Sequence, residues 1–163
     1  MVSFHDNMIE YRNQLMKGTI QKAYRGLMEY FGSLRSYFKK KYPNYAVSGI
    51  YFGYMDMTYF AVNPPLLKDR KLKIAIVYLH KEFRFEVWLG GYNKTVQKEY
   101  WDLVREKCWD KYKIPSSIKG IDSVVEYVLV DNPDFRDLDA LTRQIEKGTM
   151  HFIKDVEDFL SQY

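Results

Sequence analysis

The chain has 163 residues, 47% of them hydrophobic, and carries 25 Lys and Arg against 21 Asp and Glu, a formal charge of +4. That length supports a real core in one domain spanning 1–163, and the composition excludes a disordered polymer. The charge is mild, and its two basic runs, Lys39-Lys40-Lys41 and Lys68-Asp69-Arg70-Lys71, are short; nucleic-acid binding, which wants a strongly basic face, is not expected.

Residues 6–41 read as helix broken once. Ile20, Tyr24, Leu27, Phe31, Leu34 and Phe38 recur at steps of four and three and share one stripe, while Met8, Tyr11 and Leu15 begin a similar stripe before Gly18. Lys17-Gly18-Thr19 has the look of a stop followed by an N-cap, the three lysines at 39–41 suit the C-terminal end of the helix dipole, and Pro43 stops the helix. Strand composition follows over 47–54 and 57–62, a hairpin with Asp56 near its turn. Asn63-Pro64-Pro65 ends the second run, and 66–71 is expected to be a polar loop.

The stretch 72–97 is the most informative. Leu72–Leu79 is apolar on both faces and is expected to lie centrally in a sheet. In 83–89, Phe83, Phe85, Val87 and Leu89 alternate with Arg84, Glu86 and Trp88, which sends the first set to the core and the second to the opposite face. A three-residue turn at 80–82 would set Tyr78, Ile76 and Ile74 opposite Arg84, Glu86 and Trp88. Gly90-Gly91 then loosens the chain, Asn93 is an N-cap, and a helix over 94–110 turns Val96, Tyr100, Leu103 and Val104 inward. Residues 115–120 and 131–134 read as loops around a strand at 123–130. A last helix runs from Leu138 to Leu160, with Leu138, Leu141, Ile145, Phe152, Val156 and Phe159 on one stripe. The order implies an α+β fold: a mostly antiparallel sheet of about five strands, helices packed on one face, and helices at both termini.

Three places could carry chemistry. Arg84, Glu86 and Trp88, with Tyr78 across the hairpin, could form a small-molecule site, Arg84 anchoring a small anionic ligand and Trp88 forming a wall. Asp56 and Glu86 could hold a divalent metal. The element order is that of the PD-(D/E)xK nuclease core, but Trp88 stands where that family needs its catalytic lysine, so such a chain would be a degenerate member or another metal-dependent hydrolase. The Gly90-Gly91 junction with Lys94 could bind an anion at a helix N-terminus, yet it is neither a P-loop nor a dinucleotide fingerprint. His80 falls in the hairpin turn and is expected to be solvated; Cys108, beside Trp109 in a helix, is expected to be buried and inert.

The single cysteine excludes an internal disulfide, and His5, His80 and His151 are scattered, so no metal or other cofactor is called for. No apolar run approaches the roughly 18 residues of a membrane span, and the N-terminus lacks a secretory pattern, so a soluble cytoplasmic protein without a membrane partner is expected. The high aromatic content, with 15 Tyr and 10 Phe, suits a ligand pocket or self-association as a homodimer. No complete catalytic set is present, and the favoured reading is a non-enzymatic binding or interaction module.

Four segments, Ile20–Tyr30, Tyr54–Phe60, Phe85–Leu89 and Asp137–Leu141, resemble a family of small uncharacterised bacterial proteins known only as a domain of unknown function. The resemblance covers nearly the whole chain and implies no activity, cofactor or catalytic residue.

Overall fold

The computed structural model describes residues 1–163. Helix α1 (Phe4–Met16) opens on a capping box, the Ser3 hydroxyl accepting from the Asp6 amide and the Asp6 carboxylate from the Ser3 amide. Gly18 takes a left-handed φ of 77° and turns the chain into α2 (Thr19–Lys41). From Tyr30 onward the stripe of α2 is sealed: Tyr30, Phe31, Leu34 and Phe38 are at most 4% exposed.

Strand β1 (Ala46–Val47) is far shorter than the run expected over 47–54, and beyond it only an isolated bridge joins Tyr51 to Tyr59. The backbone leaves the extended region here because Gly53 and Met55 both adopt positive φ, 74° and 62°. A Cβ on Gly53 would fall 2.0 Å from the Met57 carbonyl oxygen, so that turn tolerates only glycine. β2 (Met57–Asn63) follows. The expected loop at 66–71 is instead largely a short helix, α3 (Pro65–Asp69), since Pro65 occupies its first turn with φ already set and Leu67 is fully buried. Next come β3 (Leu72–Leu79), β4 (Arg84–Gly91), α4 (Lys94–Glu106), β5 (Val125–Asp131) and α5 (Leu138–Leu160). The Asn93 side chain caps α4 through the Val96 amide, and the Asp137 side chain caps α5 through the Ala140 amide. Helix α4 stops at Glu106, short of 110, where the chain turns through Cys108 at φ 52°. Cys108 is consequently exposed, not buried in a helix as its surroundings suggested.

The sheet has the order β1-β2-β3-β4-β5, and every pairing is antiparallel. The fold is α+β, with β3 in the middle as its two-faced apolar sequence requires. Helices α2 and α5 lie on one face. Phe31 sits between Phe60 and Phe85, and Gly148 of α5 lies so close to Leu129 that a Cβ would come within 2.6 Å of its side chain. Phe85, Val87 and Leu89 point to that face and are at most 1% exposed.

Two features of the hairpin differ from the expectation, for one reason. Phe83 adopts a left-handed φ of 53° and belongs to the turn, so the loop has four residues, 80–83, and Phe83 is 41% exposed instead of in the core. The extra residue moves the register by one. Leu79, Val77 and Ala75, not Tyr78, Ile76 and Ile74, pair with Arg84, Glu86 and Trp88.

Two carboxylates, buried Glu146 and half-buried Asp155, tie α5 to the rest. Glu146 accepts from the hydroxyls of Tyr37 and Tyr42 and pairs with Lys41 at 2.6 Å. Asp155 accepts from the Tyr112 hydroxyl and pairs with Lys111 at 3.0 Å and His151 at 3.3 Å. Burial would raise both pKa values, but the donors outweigh it and hold both carboxyls below their usual range.

Gly32 lies in the interior of α2, and a Cβ there would meet nothing within 4 Å. Gly32→Ala is expected to stabilise the fold by about 0.5–1 kcal/mol, read as a higher midpoint in urea with an unchanged slope.

Candidate functional site

The stripe of α2 is longer than the sheet beneath it. Its C-terminal part is sealed, but Ile20, Tyr24 and Leu27 overhang the β3–β4 turn and are only partly covered. Phe83, Phe135 and Leu138 close the opposite side, and the space between is a cleft of about 530 Å³. Of its 13 lining residues 10 are hydrophobic, and none is acidic; Lys22 supplies the only formal charge, at an exposed position.

Two polar groups interrupt this apolar lining. Tyr78 is 5% exposed, lies among Phe83, Phe85 and Phe135, and its hydroxyl has no partner in the protein. Burial raises the Tyr78 pKa, so it is a neutral phenol that can donate. His80 is half-buried at the rim between Tyr24 and Tyr78. Its Nε2 lies 2.8 Å from the hydroxyl of Thr58, which is fully buried. The single hydroxyl hydrogen of Thr58 goes to the Phe52 carbonyl at 2.8 Å, so Thr58 accepts from His80, and Nε2 carries the imidazole hydrogen. Burial lowers the His80 pKa against the pull of nearby Asp56. Neutral His80 then presents Nδ1 as an acceptor without a protein partner.

The other residues singled out in the sequence do not converge. Arg84, Glu86 and Trp88 share the face opposite α2, as their parity requires, but Glu86 is 2% exposed and already engaged. Arg84 Nε donates to its Oε2 at 2.5 Å, and Trp88 Nε1 donates to its Oε1 at 2.9 Å. Arg84 is thus neutralised by its neighbour and is a weak anchor for a free anion; an open groove of about 470 Å³ with Lys111, Lys113 and Glu126 lies beside it. Trp88 is in register with Ala75, which pairs in turn with Ala61. Tyr78 lies on the helix face, across the sheet from these three.

Asp56 sits at the turn before β2, where its carboxylate accepts from the Tyr54 amide. Amides of Tyr54, Met57 and Asp56 itself hold its pKa below the usual range, and its carbonyl accepts from the His80 amide. Two strands across and three residues along separate its backbone from that of Glu86, about 14 Å at ordinary sheet spacings. One metal ion cannot take both carboxylates at that separation.

The sequence reading missed Tyr24, Leu27, His80 and Phe135 as a site. Tyr24 and Leu27 carried a signal, since they continue the core stripe past the point where five short strands could cover it. Phe135 carried none.

The site is thus an apolar cleft with a few inward polar groups, on an antiparallel sheet roofed by two helices. The chain belongs to the family described as DUF7000, a domain of unknown function, whose model matches residues 4–160. No curated protein and no solved structure matches it.

Two outcomes follow from this geometry. Arg84→Ala leaves the Glu86 carboxylate buried with one neutral donor, and is expected to cost about 2–3 kcal/mol in chemical denaturation, most of it recovered in the Arg84→Ala/Glu86→Leu double variant. His80 binds its proton more weakly when folded than when unfolded. Its contribution to stability is complete above the ordinary pKa of 6.5 and is lost as pH falls below that value. The melting temperature should therefore drop further between about pH 7.5 and about pH 5.5 in the wild type than in His80→Gln.

Proposed function

We propose that this chain is a small-molecule-binding module, and that its ligand occupies the cleft between α2 and the β3–β4 turn. The observation that carries the reading is Tyr78: the residue is only 5% exposed, and its hydroxyl, which remains accessible, has no protein partner at the edge of a cleft that is otherwise mostly apolar. A polar group in that position is satisfied by water or by a ligand. The volume of about 530 Å³ lies within the range of small-molecule pockets.

The lining favours one ligand class. Its body is apolar, to match Leu27, Phe83 and Phe135. Its polar end accepts from Tyr78 or donates to His80 Nδ1. With no acidic residue in the lining and Lys22 at an exposed edge, the polar end is neutral or carries one negative charge, as in a carboxylate, and a cation is disfavoured. The small anionic ligand expected from the sequence at Arg84 is better served here, where no carboxylate has already taken the available donors.

A solvatochromic apolar dye, with straight-chain alkanoates of increasing length as competitors, tests the proposal. Gly26 lines the cleft from α2 with open space around its Cβ position, so Gly26→Phe fills the cleft without disturbing the core. The expectation is saturable dye binding, displacement that strengthens with chain length, at least about tenfold loss in Gly26→Phe, and about tenfold weaker alkanoate competition in Tyr78→Phe. Dye binding indifferent to Gly26→Phe places the ligand elsewhere and rejects the reading.

A further inference from the structure

The other face of the sheet, away from α2 and α5, holds a second hollow of about 310 Å³. It gathers parts of two sequence motifs that the cleft leaves unused: Trp88 from the alternating strand, and Gly90, Gly91 and Lys94 from the junction after it. Its floor is made of small residues. Ala75 of β3 is in register with Trp88, and Lys73 of β3 with Gly90. Two neighbouring strands therefore present a methyl group and a bare Cα where larger side chains would close the space. Aromatic rings stand around it: Trp88, Tyr59 and Tyr51, the two phenols 5.0 Å apart between ring centres, and Tyr92, which is 66% exposed.

Three side chains set the charge of this hollow. Lys94 and Asp122 pair at 3.1 Å and cancel. Lys73 is left over. It is half-buried, it is the one charged residue of the middle strand β3, and its ammonium has no hydrogen bond or ion pair within the protein. Its stem is seated all the same. A Cβ on Gly90 would lie 3.4 Å from Lys73 Cε and 3.6 Å from its Cγ, so the methylenes run over the bare glycine. The ammonium ends 5.7 Å from the centre of the Tyr59 ring, at the hollow.

We propose that this hollow is a second binding site, for a flat aromatic ring that carries one anionic group. The ring lies against Trp88 and the tyrosines, whose faces and edges favour a planar apolar body. The anionic group takes the Lys73 ammonium through a charge-assisted hydrogen bond. Arg84 cannot play that part because Glu86 holds it. The indole wall expected from the sequence thus finds its anchor on the neighbouring strand. The cleft lies across the sheet and meets its ligand with neutral groups, so the two sites are independent.

Titration with naphthoate, followed by calorimetry and by heteronuclear spectra, tests the proposal in the Gly26→Phe variant, whose cleft is filled. The expectation is one saturable site with a dissociation constant at or below about 1 mM. One indole N–H signal should shift, the one that Trp88→Phe deletes, while those of Trp101 and Trp109, which do not line the hollow, stay in place. Lys73→Met keeps the stem and removes the charge. It should weaken naphthoate at least about tenfold with an unchanged circular dichroism spectrum. Uncharged naphthamide should bind at least about tenfold more weakly than naphthoate and lose nothing further in Lys73→Met. No saturable binding, a Trp88 signal that does not move, naphthoate binding indifferent to Lys73→Met, or naphthamide binding as tight as naphthoate overturns the proposal. Dye binding in the cleft of Lys73→Met with Gly26 intact should equal that of the wild type, so either site can fail its test without the other.

Discussion

The structure depends on the fit of one aromatic ridge on one sheet. Phe31 of α2 is fully buried between Phe60 of β2 and Phe85 of β4, and Phe38 packs beside it on Phe60 and Tyr42. Rings of this size account for much of the apolar area a domain of this length can bury, and their contacts fix where α2 crosses the strands. Because the ridge is anchored near its C-terminal end, its N-terminal turns run past the edge of the sheet. The cleft is what remains when a helix is longer than the surface that seats it, and Tyr24, Leu27 and Tyr78 are core residues of a core that stops too soon.

The opposite face shows a different economy. Val77, Glu86 and Trp88 are packed there, and the one carboxylate among them is satisfied within its own strand by Arg84 and Trp88. The charge of Glu86 is spent locally. On the helix side, the Tyr78 phenol and the half-buried His80 imidazole lack protein partners for the Tyr78 hydroxyl and His80 Nδ1, and burial holds both in their neutral forms. A mostly apolar environment with two neutral polar groups suits recognition of a ligand's shape and of one polar end.

The fold class, the central position of β3, the β3–β4 hairpin and the buried part of the α2 ridge were legible in the sequence, because each rests on a periodicity that survives any detail of the turns. What was not legible depended on single backbone angles. Positive φ at Phe83 lengthened the hairpin loop by one residue and carried Tyr78 away from Arg84; positive φ at Cys108 ended α4 early and exposed the thiol. Nothing in the identity of a Phe or Cys announces a left-handed conformation, which those side chains seldom adopt. Leu138 was read as core from its stripe and lies 42% exposed at the cleft rim, because the sheet ends below it. Of the site, Tyr78 was named for the wrong face, and His80 was taken for a solvated turn residue because its partner Thr58 lies 22 residues away in sequence.

Glu146 and Asp155 are nine residues apart on α5, two and a half turns, so they leave the helix on opposite flanks. One is gripped by the end of α2 and the other by the segment after α4. Hydrophobic packing alone lets a cylinder roll on its bed. Moorings on both sides remove that freedom, so α5 has one permitted rotation about its long axis, and the walls that rest on it inherit a fixed shape.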